Sequence, residues 1–126
     1  MTLKASSFDR ALDYKVIYQD DVKAAINVNA ANGPCTLHSV VIDNVGGSAA
    51  CYAKIADGYT ASIGTSTLQL VLRCAAGVRQ FYVFPDGVEF YESLNFWVTS
   101  NADPQGSAAP SLSSPANTIK INLLVS

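Results

Sequence analysis

Charge is scarce in this sequence. Asp, Glu, Lys and Arg make up 14% of its 126 residues, against about 25% in an ordinary soluble domain. The basic residues Lys4, Arg10, Lys15, Lys23, Lys54, Arg73, Arg79 and Lys120 are spread singly. With no basic stripe to gather phosphates, nucleic acid is not an expected partner. Long apolar runs are missing too. No stretch approaches the ~18 residues that a membrane-spanning helix needs, so no membrane is expected as a partner. Residues 1–10 contain Lys4 but no apolar block, so no secretory leader is expected. The chain is nonetheless 49% hydrophobic with a net charge of −2. Disorder would require the reverse, low hydrophobicity and high net charge. A chain this long suits one soluble domain and buries roughly two-thirds of its unfolded surface.

Chemistry-bearing patterns are equally thin. The single histidine, His38, falls in a strand-like stretch, and no local motif announces a Ser-His-Asp triad. Cys35-x-x-His38 is half of a zinc pattern. Residues three apart on a strand point to opposite faces, so the two are not expected to share a metal. The cysteines Cys35, Cys51 and Cys74 form no Cys-x-x-Cys pair. An odd count without a leader argues against a disulfide framework, and all three read as reduced, structural residues. Asp20-Asp21 sits at a turn but lacks EF-hand spacing, and no phosphate-binding glycine loop is present. The expectation is therefore no enzyme activity, no catalytic residue, no cofactor and no metal.

What is present is alternation. Leu68, Leu70, Leu72 and Cys74 share one face of residues 67–74. Leu94, Phe96 and Val98 alternate with Asn95, Trp97 and Thr99. Ile119, Ile121, Leu123 and Val125 alternate with Lys120, Asn122 and Leu124. A period of two marks strands with one buried face. Residues 22–28 alternate as Val22, Ala24, Ile26, Val28. Residues 13–18, 36–42, 50–55, 78–84 and 88–91 complete an expected set of about eight or nine strands. Turn chemistry separates them at Asn32-Gly33-Pro34, Asn44-Val45-Gly46-Gly47, Asp57-Gly58, Ala76-Gly77 and Pro85-Asp86-Gly87. The expected fold is all-β, an antiparallel two-sheet β-sandwich forming a single domain over residues 1–126, with an N-terminal arm over residues 1–12.

Residues 101–117 break the pattern. They read NADPQGSAAPSLSSPAN and contain three of the five prolines. A connection this long is usually functional. It is read as a long surface loop that meets a partner, with Pro104, Pro110, Leu112 and Pro115 as the contacts. Its deletion over residues 105–114 is expected to leave the fold intact. Aromatics cluster late, and most should be core. Tyr82, Tyr91 and Trp97 are the candidates to face outward, where a carbohydrate-binding module would place its stacking rings. A surface poor in charge and rich in small residues fits one that neighbours cover. A homo-oligomer is expected.

The run Leu37-His38-Ser39-Val40-Val41-Ile42-Asp43-Asn44, a Gly/Ser turn, and Cys51-Tyr52-Ala53-Lys54-Ile55 resemble small virion proteins of tailed bacteriophages. The Leu-rich strand, Ala76-Gly77, the aromatic strand and Pro85-Asp86-Gly87-Val88-Glu89-Phe90 extend the resemblance, which covers roughly residues 36–99. It rests on strands and turns and has no signature motif. It implies a jelly-roll-like sandwich located in the virion and assembled in the host cytoplasm. The commonest role is a capsid cement or decoration protein, usually trimeric, bound to a major capsid protein. Tail, neck and fibre components are the alternatives. No functional residue carries over.

Overall fold

The computed structural model describes residues 14–114 and 116–126. The expected arm at residues 1–12, Asp13 and Pro115 lie outside the described residues. Among the described residues there are seven strands and no helix: β1 (Lys15–Val22), β2 (Cys35–Asp43), β3 (Cys51–Asp57), β4 (Leu70–Cys74), β5 (Arg79–Phe90), β6 (Leu94–Thr99) and β7 (Ile119–Val125). They form two antiparallel sheets, ordered β1-β7-β2-β5 and β4-β3-β6.

The alternation seen in sequence decides which side chains go in. In β7, Ile119, Ile121, Leu123 and Val125 are buried, while Lys120, Asn122 and Leu124 turn to the other side. Leu37, Val40 and Ile42 of β2 join them from the same sheet. Cys51, Ala53 and Ile55 of β3 and Leu94, Phe96 and Val98 of β6 come from the other sheet. All belong to one apolar cluster, so the two sheets share a core. Each large side chain removed from water in this way contributes about 1.5–3 kcal/mol.

Three expected elements differ. Residues 22–28 are not a strand. Val22 ends β1, Val28 is exposed, and beyond β1 the chain meets β6 only at intervals, through Lys23, Asn27 and Ala30. Ala24 and Ala25 offer little side chain to pack between those contacts, so no regular ladder forms. The expected strands at 78–84 and 88–91 are one strand, β5. Pro85-Asp86-Gly87 does not reverse the chain but swells it. Leu37 pairs with Val88 and Ser39 with Val83, so β5 advances five residues where β2 advances two. Finally, β4 begins at Leu70. Leu70 is half-buried against the core and Leu68 lies outside the core cluster, so neither is the fully buried residue expected. Only Leu72 and Cys74 of that stretch are fully inside.

The swelling depends on Gly87. Its φ is 75°, and a Cβ there would collide with the Thr36 γ-methyl. Gly77 has a similar φ of 74°, but a Cβ there would meet open space. Gly77→Ala should therefore lose only the backbone term, about 1 kcal/mol. Gly87→Ala adds the clash and should lose about 2–3 kcal/mol. Urea unfolding of both variants measures the difference, and equal losses would contradict it.

Candidate functional site

The outer faces of the two sheets have different fates. On the three-stranded sheet, Lys54, Asn95, Trp97 and Thr99 point away from the core, yet all are buried. The chain's own loops cover them. Lys54 Nζ donates to the carbonyl oxygens of Asp103 (2.5 Å) and Gly106 (3.0 Å) in the long loop. Asn95 accepts from the Asn29 amide (2.9 Å) and donates to Gly58 O (2.9 Å) and Ala56 O (3.3 Å). Trp97 pairs with Lys54 across the strands and is fully enclosed, its Nε1 without a hydrogen-bond partner.

The long loop is thus part of the domain. Ser100 N donates to Ala108 O (3.0 Å), Ser48 N to Ser111 O (3.1 Å) and Ser113 N to Gly46 O (2.9 Å). Leu112 bridges to Gly47 and packs on the core cluster. Of the expected partner contacts, Pro104 is exposed beside residues 65–71, Pro110 is half-buried and Pro115 lies outside the described residues. Pro104 and Leu112 lie against different segments, residues 65–71 and Gly47. Removal of residues 105–114 would uncover Lys54 and strip Leu112 from the core, so the expectation of a harmless deletion is corrected.

Two ionisable groups fasten these covers. Burial lowers the Lys54 pKa from its ordinary 10.5, and the Asp103 carboxylate pulls it partly back. Burial alone would raise the Asp57 pKa, but amides outweigh it and hold the group below 3.8. Asp57 accepts from Tyr91 N (2.8 Å), Glu92 N (3.0 Å) and Ser93 N (3.2 Å), which fixes the turn between β5 and β6.

The outer face of the four-stranded sheet has no such cover among the described residues. One row across it is Val16, Leu124, Ser39 and Val83. The next is Tyr18, Asn122, Val41 and Phe81. Val16 is 66% exposed, Tyr18 55%, Phe81 62% and Val83 71%. A charged row follows, with Lys120 on β7, Asp43 on β2 and Arg79 on β5, and Asp20 is exposed at the adjoining end of β1, where the ladder to β7 bulges between Gln19 and Val22. Arg79 Nη2 lies 3.1 Å from Asp43 Oδ2. Tyr18, Val41, Phe81 and Asn122 line one shared depression with Asp43, Arg79 and Lys120. At the opposite end Tyr14 packs edge-on against His38, with ring centroids 5.1 Å apart, and His38 Nε2 is 2.7 Å from Ser126 Oγ. Exposed apolar faces are the kind of surface on which proteins dock partners.

Phe81 was expected inside. The run 81–84 is apolar at every position, so parity alone did not say which residues face the core. Trp97, a candidate sugar platform, is enclosed, while Tyr91 is 75% exposed. The cysteines are buried and free. Cys51 and Cys74 looked isolated from each other in sequence but are direct cross-strand partners. Burial, helped by the neighbouring Cys74, pushes the Cys51 thiol up to about 12. Such a thiol is a poor nucleophile at neutral pH. Cys35 is buried while His38 sits on the outer face. No group of three or more metal-ligating side chains occurs among the described residues, and no helix there is long and apolar enough to cross a membrane.

Lys54→Met should leave the strands assembled but free residues 101–108. Limited proteolysis should then cut that segment at least tenfold faster, and an unchanged rate would contradict the fastening. The folded-state pKa of Asp57 is the lower one, so its contribution is present above pH ~4 and fades as pH falls through the folded value. Asp57→Asn should cost about 1–3 kcal/mol at pH 7 and reduce the acid-induced loss of stability. Urea midpoints at pH 7 and pH 3 check both parts.

No protein family, curated protein or solved structure matches the chain. The functional reading therefore rests on the geometry of its surfaces and on the resemblance carried by residues 36–99.

Proposed function

We propose that this chain is a structural component of a tailed-phage virion, of the capsid cement or decoration type, and that it works by docking rather than by catalysis. The observation that carries the reading is the contrast between the two outer faces. The chain spends its long loop covering one sheet, and among the described residues an apolar face stays open on the other. A charge-poor surface loses little solvation when a neighbour covers it. Repeated over many copies, even a modest contact holds a shell together through multivalency.

The strand plan supports a jelly-roll sandwich. Residues 23–30 run antiparallel along β6, with Val98 N donating to Lys23 O (3.0 Å) and Ala30 N to Leu94 O (2.9 Å). Counted as a reduced strand, they extend the second sheet to four. Pairing is then nested: β1 with β7, residues 23–30 with β6, β2 with β5, and β3 with β4. First-with-last nesting into two four-stranded sheets is the jelly-roll plan, which serves viral capsid and lectin domains alike. The fold does not choose between those roles. The virion reading draws on the resemblance of residues 36–99, which also implies a homo-oligomer, usually a trimer, and a major capsid protein as partner. A tail, neck or fibre component is the nearest alternative. A carbohydrate-binding module has less support, since its tryptophan is enclosed and only exposed tyrosines such as Tyr59 and Tyr91 remain.

Purified chain added to particles lacking it should fill a fixed set of shell sites in a reconstruction and raise the temperature at which the shell ruptures. Tyr59→Ala with Tyr91→Ala should leave occupancy unchanged. Particles that stay bare, or a chain that binds glycans through those two tyrosines, would contradict the proposal.

A further inference from the structure

The open face of the four-stranded sheet carries a pattern beyond its apolarity. Its charged row alternates across the strand order: Asp20 on β1, Lys120 on β7, Asp43 on β2, Arg79 on β5. A half-turn about an axis parallel to the strands, between β7 and β2, lays this row on a copy of itself. β1 then lies over β5 and β7 over β2. Every acid meets a base: Asp20 over Arg79, Lys120 over Asp43, and the same two pairs again. The apolar rows match under the same operation. Tyr18 falls over Phe81 and Val16 over Val83, the four most outward apolar side chains of the face. A row ordered acid-acid-base-base on β1, β7, β2 and β5 would be matched as well, but acid-base-base-acid would set like over like. The order found here is therefore informative.

We propose that the occupant of this face is a second copy of the same chain, docked sheet on sheet about a two-fold axis. The inference rests on the reading of this face as a docking surface and names its partner. An isologous contact needs a self-complementary patch, which these rows supply. The axis keeps the strands of the two copies aligned, which is the common way for sheets to stack. Size sets the strength. At ~4.8 Å between strands and ~3.3 Å per residue, four strands and the span from Tyr14 to Asp20 make a face of roughly 20 by 20 Å. Over the two copies that is about 800 Å² in total, below the ~1,200–2,000 Å² of standard interfaces, so a weak, transient dimer is expected. The two-fold dimer differs from the trimer that the resemblance implies.

Charge exchange tests the pairing. Asp20→Arg alone and Arg79→Asp alone each set like charges over one another and should weaken the dimer at least tenfold in sedimentation velocity. Asp20 is exposed, so Asp20→Arg should keep the wild-type unfolding midpoint, whereas Arg79→Asp also loses the ion pair to Asp43 and should unfold at a lower midpoint while remaining folded under the assay conditions. Mixing the two variants in equal amounts restores both cross-pairs and should return a heterodimer within about threefold of the wild-type Kd. So should the double variant Asp20→Arg with Arg79→Asp. A mixture that stays monomeric overturns the proposal, as does a wild-type chain that is monomeric or trimeric at 100 μM. If such a chain still fills sites on particles, the two-fold fails while the virion reading survives. A dimer that never joins a particle does the reverse.

Discussion

Two sheets have four faces, and a shared core hides only two of them. Everything else in this structure follows from how the remaining pair is treated. The three-stranded sheet presents Lys54, Asn95, Trp97 and Thr99 outward, and these side chains end fully buried. Burial of an amine and an indole on an outer face requires a roof, and the chain supplies part of it from Asp103 and Gly106 over Lys54 and from Asn29 and Gly58 around Asn95. The four-stranded sheet presents Val16, Tyr18, Phe81 and Val83 outward, and no roof covers them among the described residues. One face is closed by the chain itself; the other is open among the described residues.

The closed face shows how a buried charge can organise a loop. A lysine taken from water disfavours its charged form, and the lowered Lys54 pKa registers that penalty. The unfolded chain then holds the extra proton, so this group's penalty shrinks as pH rises from the folded value toward 10.5. Two loop carbonyls offset part of it at neutral pH. The amine has few other places to go, so residues 103–106 are held in one position. Asp57 works with the opposite sign, as an anion whose neighbouring amides fix the β5–β6 turn. These fastenings lie on the closed side and leave the open face free of them.

Much of this was legible in the sequence. The period of two in residues 118–125 and 93–100 located β7 and β6 and their core residues; in β7 alternation and burial coincide, whereas in β6 the second face is buried too, which alternation does not reveal. The turn signals at Asn44–Gly47 and Ala76-Gly77 also fell between strands. Failure came where side chains were ambiguous. Pro85-Asp86-Gly87 has the chemistry of a reversal but sits inside β5, because the ladder to β2 resumes beyond it. Residues 81–84 are apolar on both parities, so Phe81 was assigned to the core. Lys54, a lone cation in an apolar strand, was a visible signal for the covered face, but its partners lie in a loop whose path no local pattern specifies. The open face was invisible for the same reason: it exists only when β1, β7, β2 and β5 are set side by side.

The central claim is that the outer face of the four-stranded sheet is covered when the protein works. Hydroxyl-radical footprinting measures that cover directly. Tyr18 and Phe81 report on the face, while Tyr59 and Tyr91, 73% and 75% exposed, report on surface away from it. As concentration rises from the dilute chain into the assembled state, labelling of Tyr18 and Phe81 should fall several-fold while Tyr59 and Tyr91 stay fully labelled. Unchanged labelling of Tyr18 and Phe81 in the assembled state, or protection of Tyr59 and Tyr91 in their place, would contradict the account.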